Sequence, residues 1–224
     1  MREGHLVRRL LNLVTTRSLA NEHAERLVER RTRVTHDGTL QHAHYEPFYT
    51  TLFGLTRSDF ADKRVVDIYC GPRGRLEWAT GAAVRVGLDP LAVQYRLVAT
   101  RQHQTAYVAA AAEAIPLRTA TVDIVTAFNA LNRVPNVNDV ILEMTRITKR
   151  GGVALVILEI SHRTTRTEPH RLRPELIGAI RGWTLAYEDR RVLPEDAGLY
   201  DGWDRGTPWR SGHGWLAARL TRDR

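Results

Sequence analysis

The sequence predicts an α/β fold built on a doubly wound, mainly parallel sheet with an N-terminal helical cap. Two observations carry this prediction. From Arg64 onward, short β-branched runs alternate with helical stretches, and the first run leads directly into a glycine-bearing turn. Such alternation is typical of βαβ units, whose strands lie parallel.

Seven strand candidates and four helix candidates follow one another along this region. The expected strands are residues 64–69, 83–89, 106–109, 122–128, 153–160, 183–189 and 213–220. The expected helices are residues 74–80, 91–101, 138–148 and 173–181. The third helix candidate has apolar residues on one face, as a helix covering a sheet requires. The basic residues and glycines at 149–152 are typical of a helix end.

Residues 1–60 differ from the rest, and we expect them to form the helical cap over a main domain of residues 61–224. Helical periodicity is present at 6–14 and 19–28, followed by Tyr45, Phe48, Tyr49 and Phe53. Core packing explains each of these aromatic residues at least as well as ligand contact does.

The amino-acid composition restricts the classes of protein to which this chain can belong. A hydrophobic content of 43% is enough for a real core. No apolar run approaches the roughly 20 residues of a membrane span, and the first residues lack a signal-peptide pattern. We therefore expect a cytoplasmic protein without a membrane partner. Cys70 is the only cysteine, which excludes a disulfide framework and a cysteine-rich zinc site, and no metal is expected.

The formal net charge of +8 leaves two interpretations open. Clustered basic residues are typical of nucleic-acid binding. However, only Lys63 and Lys149 are lysines among the 33 basic residues, and arginines occur in every segment. A GC-rich genome produces such a bias without a nucleic-acid partner, and we favour this second interpretation.

The strongest local signal is the sequence VVDIYCGPRG at 65–74, an apolar strand entering a glycine-bearing turn. Glycine there lets backbone N–H groups approach a ligand closely. The second strand ends at Asp89-Pro90. An acidic side chain at that point of such a fold can accept hydrogen bonds from both hydroxyls of a ribose.

Over about residues 60–160 these motifs resemble those of the class I S-adenosylmethionine-dependent methyltransferases, a Rossmann-like fold. AEAIPL at 112–117, VDIV at 122–125, FNAL at 128–131 and the segment 146–152 match later parts of the family pattern. A nicotinamide-binding Rossmann domain shares the glycine turn but lacks these later segments. The resemblance implies S-adenosylmethionine as cofactor, held by Asp67, Tyr69, Gly71, Arg73, Gly74, Asp89, Pro90, Ala112, Glu113 and Asn129.

The chain departs from the family pattern at four places. Tyr69 and Arg73 replace glycines, Ala111 replaces an acid that meets the adenine, and Asn132-Arg133 replaces a polar or histidine pair. Some RNA- and DNA-modifying relatives carry an aromatic residue where Tyr69 stands. Arg73 is either a clamp for the methionine carboxylate or an arginine facing solvent.

Methyl transfer from a sulfonium mainly requires alignment of the acceptor, so a base is optional. His162 and Glu159, after the fifth strand, are the candidate catalytic residues. We expect transfer to a small-molecule acceptor, such as a natural product. The departures motivate one alternative, a catalytically degenerate binding or scaffolding subunit. Net charge and Tyr69 motivate another, an RNA methyltransferase. The sequence leaves a homodimer open.

Overall fold

Seven strands form one mixed sheet in the computed structural model of the protein, which describes residues 45–95, 103–192 and 206–224. The strands are β1 (Arg64–Ile68), β2 (Val84–Leu88), β3 (Ala106–Val108), β4 (Val122–Phe128), β5 (Thr148–Ile160), β6 (Trp183–Val192) and β7 (Gly214–Arg222). Their order is β3-β2-β1-β4-β5-β7-β6. Strands β1 to β5 pair in parallel, and β7 is antiparallel to both of its neighbours. The mainly parallel seven-stranded sheet predicted from sequence is confirmed, with β7 as its antiparallel member.

The central strands are apolar because both of their faces are covered. In β4, six of the seven residues are buried, and Asp123 alone is half-buried. Near-continuous apolar runs are typical of parallel strands packed on both sides. Strands β1, β2, β4 and β5 end at one edge of the sheet, called here the carboxyl edge, and the glycine-bearing turn at 69–74 follows β1 there.

Four α-helices accompany the sheet in the described ranges: α1 (Glu46–Tyr49), α2 (Ala92–Tyr95), α3 (Val137–Ile147) and α4 (Glu175–Gly178). Only α3 is long. It begins at Asn136, whose side chain accepts hydrogen bonds from the N–H groups of Asn138 and Asp139, as a helix N-cap does. Its bounds agree with the predicted helix within one residue. Of the predicted helix 91–101, the structure describes α2, and residues 96–102 lie outside the described ranges.

The helix predicted at 74–80 is wrong, because this segment forms turns. The Arg85 guanidinium donates to the carbonyls of Leu76 (3.4 Å) and Glu77 (3.2 Å), which a helix would use internally. The Glu77 carboxylate accepts from the N–H groups of Gln104 and Thr105, each at 2.9 Å. These bonds fasten the segment to β2 and to the start of β3. The helix predicted at 173–181 is likewise shorter, reduced to α4.

The described part of the predicted cap packs on the sheet. Phe48, Tyr49 and Phe53 are buried in one apolar cluster with Phe128 of β4 and Trp215 of β7. The aromatic residues of this segment are therefore core residues. The helical periodicities at 6–14 and 19–28 lie outside the described residues. Within the described ranges, no helix has the length and apolar character that a membrane crossing needs.

Candidate functional site

Three strands end in a residue with left-handed backbone at the carboxyl edge. Tyr69 follows β1 with φ 58°, Asn129 follows β4 with φ 52°, and Ser161 follows β5 with φ 59°. Residues other than glycine rarely adopt this conformation. Strained backbone of this kind clusters at functional sites, so the carboxyl edge is the candidate site.

Asp67 lies at the centre of this edge, on β1, and is completely buried. Its carboxylate accepts hydrogen bonds from the hydroxyl of Thr126 at 2.6 Å and that of Tyr49 at 3.0 Å. Burial raises the pKa of Asp67, and the charge of Arg75 and the two hydroxyls oppose that shift. The hydrogen bonds of Asp67 thus connect α1, β1 and β4. Sequence reasoning did not identify Tyr49 as a partner of Asp67.

Asp89 fixes the turn after β1 to the end of β2. Its Oδ2 accepts from the N–H of Gly71 at 3.1 Å, and its Oδ1 accepts from the N–H of Leu91 at 2.9 Å. The side chain is 4% exposed, and burial raises its pKa against these two backbone hydrogen bonds. Each carboxylate oxygen has a second lone pair, so both bonds are compatible with a bound hydroxyl. Pro90, which follows, is half-buried.

The two glycines of the turn are needed for its shape. Gly71 and Gly74 both have φ 62°, a left-handed conformation that favours glycine. An added Cβ at Gly71 would meet nothing within 4 Å, so the requirement there is conformational. The backbone around Gly71 is therefore open to close approach.

The Tyr69 phenol lies among the groups that the sequence assigns to the cofactor. It packs against the main apolar cluster. Burial raises its pKa strongly; the charges of Glu113 and Asp89 raise it further, and that of Arg133 lowers it. The phenol is therefore within electrostatic range of the end of β2, the 112–117 loop and the segment after β4.

Arg75, and not Arg73, is the cation that faces the buried acids. Arg73 is exposed, in keeping with an arginine facing solvent. Arg75 is half-buried, and its charge lowers the pKa of Asp67 and of Asp89 against the larger effect of burial. The sequence carried no spacing signal that distinguishes Arg75 from its neighbours.

The 112–117 loop is held by α3. Arg146 donates to the carbonyls of Leu117 (2.7 Å) and Ile115 (2.8 Å). Ala112 is completely buried, and the Glu113 carboxylate accepts from the N–H of Asn136 at 3.3 Å. Burial raises the pKa of Glu113. The predicted cofactor residues of this loop thus lie on a fixed support.

A second group of polar residues follows β4 and β5. His162 is 5% exposed and its ring nitrogens have no hydrogen-bond partner, with Nε2 3.7 Å from an oxygen of Glu168. Glu168 pairs with Arg133, whose Nε donates to the carbonyl of Asn129 at 3.2 Å. Asn132 is completely buried and donates to the carbonyl of Glu159 at 2.8 Å. The structure therefore brings His162 and Asn129 to one group, together with Glu168, which sequence reasoning missed.

Glu159 directs its side chain elsewhere. Its carboxylate lies 2.6 Å from Nε2 of His213, which is exposed just before β7. Its neighbours on β5, Leu158 and Ile160, belong to the main apolar cluster, whereas Ile157 packs with α1. Because side chains alternate along a strand, Glu159 lies on the α1 side of the sheet. Glu159 and His162 therefore do not form a catalytic pair through their side chains.

The buried and half-buried groups of the carboxyl edge are mainly acidic, whereas its arginines at 73, 163, 166 and 171 are exposed. The charge of Arg75 acts on an acid of β1 and on the acid that follows β2, and Arg133 pairs with an acid of the 161–172 segment. These three acids are Asp67, Asp89 and Glu168, and Glu113 of the 112–117 loop is a fourth half-buried acid at this edge. In the described part of the chain, no group of three or more His, Cys, Asp or Glu side chains is arranged to hold a metal ion.

Comparisons with known proteins agree with this geometry. Residues 66–156 match the methyltransferase domain family. A search of curated proteins finds no match. Many solved structures have a similar fold. Because their sequence identities to this chain are low, they are evidence for the fold alone.

Three of them show the extent of the likeness. A Mesorhizobium loti S-adenosylmethionine-dependent methyltransferase is 18% identical, with a TM-score of 0.55, covering 73% of this chain and 92% of its own. A Listeria monocytogenes protein described as such an enzyme is 18% identical, with a TM-score of 0.59, covering 81% and 100%. A Haloferax volcanii structure, a complex of the Trm112 methyltransferase activator with a methyltransferase, is 15% identical, with a TM-score of 0.61, covering 94% and 98%.

Proposed function

We propose that this chain, whose residues 66–156 form a methyltransferase domain of the class I type, transfers a methyl group from S-adenosylmethionine to a small-molecule acceptor. The observation that carries the proposal is the position of Asp89. Its carboxylate is held at the end of β2 by the N–H groups of Gly71 and Leu91 and keeps lone pairs for a ligand.

The residues at the carboxyl edge fit this cofactor by their chemistry. Asp89 would accept the ribose hydroxyls, and the left-handed turn at Gly71 and Gly74 would let the backbone approach the methionine end. The 112–117 loop, with Ala112 and Glu113, would border the adenine. The surplus of acidic groups suits a ligand that carries a sulfonium charge.

The cofactor supplies an activated methyl group, so the protein has to align the acceptor and exclude water. Asn129 and Asn132 after β4 and His162 after β5 lie where an acceptor would meet the cofactor. His162 is the residue we assign to proton removal, because its ring nitrogens are unbonded and its ring is held close to Glu168.

The same acidity argues against RNA as the acceptor. Phosphate groups require clustered positive charge, whereas the buried and half-buried groups of the described carboxyl edge are Asp67, Asp89, Glu113 and Glu168 against Arg75 and Arg133. A small molecule fits this edge better.

A second candidate function is a binding subunit that has lost catalysis. Two observations favour it. The Tyr69 phenol stands among the predicted cofactor residues, and turns replace the helix expected after the glycine-bearing turn. Both reduce the room and the backbone donors available to a cofactor. Cofactor affinity discriminates the two functions.

Isothermal titration calorimetry with S-adenosylmethionine and S-adenosylhomocysteine tests the proposal. We expect saturable binding by the wild type, and an affinity lowered at least tenfold in Asp89→Asn, because the substitution removes a charged acceptor worth about 1.5–3 kcal/mol. Asp62→Asn is the matched control, since Asp62 is exposed and asparagine tolerates its left-handed backbone. Absence of binding at millimolar ligand by folded wild type would favour the second function.

A further inference from the structure

Four buried polar atoms without a hydrogen-bond partner lie at the ends of β4 and β5. They are Asn129 Oδ1, Asn132 Oδ1, His162 Nδ1 and His162 Nε2. Asn132 is completely buried and His162 is 5% exposed. Buried polar atoms are nearly always bonded, so such a group of orphaned atoms requires an explanation in each case. A polar ligand at this point of the molecule supplies one.

The orphaned atoms show what the ligand must offer. The Nδ2 of Asn132 is already committed to the carbonyl of Glu159, so its Oδ1 can only accept a hydrogen bond. Asn129 Oδ1 is likewise an acceptor. A single ligand group that satisfies both oxygens must therefore donate at least two hydrogen bonds. A hydroxyl donates once and a carboxylate not at all, whereas an amine donates two or three times.

The charges around the group have the matching sign. Glu168 Oε2 lies 3.7 Å from His162 Nε2, too far for a hydrogen bond between them. The Glu113 carboxylate is a second negative charge at this edge, close enough to act on the Tyr69 phenol. The Arg133 guanidinium is already engaged with Glu168 and with the carbonyl of Asn129. A cation is favoured here and an anion is not.

We propose that these residues bind a primary or secondary amine, and that this amine is the methyl acceptor. The assignment of the amine as acceptor rests on the proposed function. The amine enters as the ammonium ion, donating to the oxygens of Asn129 and Asn132. His162 takes one proton and leaves a lone pair on nitrogen.

The transfer step balances without a further reagent. The nitrogen lone pair forms the new C–N bond as the methyl C–S bond of the cofactor breaks, and the electron pair of that bond goes to sulfur. The product is the N-methylated ammonium ion. The proton held by His162 passes to solvent.

Nuclear magnetic resonance titration of the full chain tests amine binding without requiring turnover. The probes are butylammonium, 1-butanol and butyrate, which share an apolar tail and differ in the polar group. We expect butylammonium to shift the ring signals of His162 and the side-chain amide of Asn132 at millimolar concentration, as ligands of this size do. Butanol and butyrate should leave them unchanged.

Two variants sharpen the test. Glu168→Gln should weaken butylammonium binding at least threefold, and Glu168→Asp, which keeps the charge, should retain most of it if the first variant folds poorly. Glu175→Gln is the matched control, because Glu175 is exposed on α4. Equal or stronger binding of butanol or butyrate, or no shift with any probe, as expected for ordered water only, would overturn the amine assignment.

Repeating the titration with S-adenosylhomocysteine separates the two proposals. Amine binding without any cofactor binding would leave an amine site on a chain that is not a methyltransferase. Cofactor binding without amine selectivity would leave the methyltransferase and refute the amine.

Discussion

Tyr69 combines a left-handed backbone with a large side chain where the family pattern has glycine. At φ 58° the left-handed backbone of a residue with a Cβ destabilises the fold by roughly 1–2 kcal/mol. Burial of the Tyr69 phenol stabilises the fold by a similar amount. Tyr69→Ala keeps the strained backbone and loses the ring, whereas Tyr69→Gly loses both. Glycine has more freedom in the unfolded chain, which costs about 0.4–1 kcal/mol. We expect the glycine variant to be more stable than the alanine variant by roughly 0.5–1 kcal/mol.

The same pair of variants reports on the cofactor. Both remove the phenol from the neighbourhood of Asp89 and Glu113, so both should bind S-adenosylhomocysteine several-fold more tightly than the wild type in calorimetry. Tyr187→Ala is the control, because Tyr187 is also half-buried but lies on β6. Urea unfolding gives the stabilities. An alanine variant as stable as the glycine variant, or weaker binding by both variants, would refute this reasoning.

Three further predictions concern the support of the site. Burial, the largest single influence, raises the pKa of Glu77, but hydrogen bonds from Thr105 and Gln104 together outweigh it, so the pKa is lowered. The Glu77 carboxylate therefore stabilises the fold above the unfolded pKa of 4.5, and this stabilisation is lost as pH falls. Glu77→Gln should therefore be less stable by about 1–2 kcal/mol at pH 7, with the difference vanishing near pH 3 in thermal melts. Thr126→Val, which removes a donor from buried Asp67, should cost about 1–3 kcal/mol in urea unfolding. Arg75→Ala should cost about 2 kcal/mol at neutral pH, whereas Arg73→Ala should cost clearly less because Arg73 is exposed.

The strands of the sheet could be predicted because each corresponds to a local pattern in the sequence. β1, β2, β4 and β5 each form a β-branched run, and the motifs at their ends have fixed spacing along the chain. The match of residues 66–156 to the methyltransferase domain confirms the family predicted from these motifs. The helix predicted at 74–80 failed because its carbonyls bond to Arg85, on the next strand, and no local pattern shows such a contact.

The site was predictable in part for the same reason. Asp89 and Gly71 belong to sequential motifs, and the structure joins them by a hydrogen bond. Arg75 and Glu168 have no motif. Glu168 becomes part of the site only because the segment after β5 returns to the end of β4, where Arg133 pairs with it. The roles of these residues toward cofactor and acceptor stay predictions.

A crystal structure of the chain with S-adenosylhomocysteine tests the central claim most directly. The account predicts a nucleoside at the carboxyl edge, with its ribose on the Asp89 carboxylate and the Tyr69 ring moved away from the end of β2. An unchanged Tyr69 ring, with the ligand absent or bound elsewhere at saturating concentration, would contradict it.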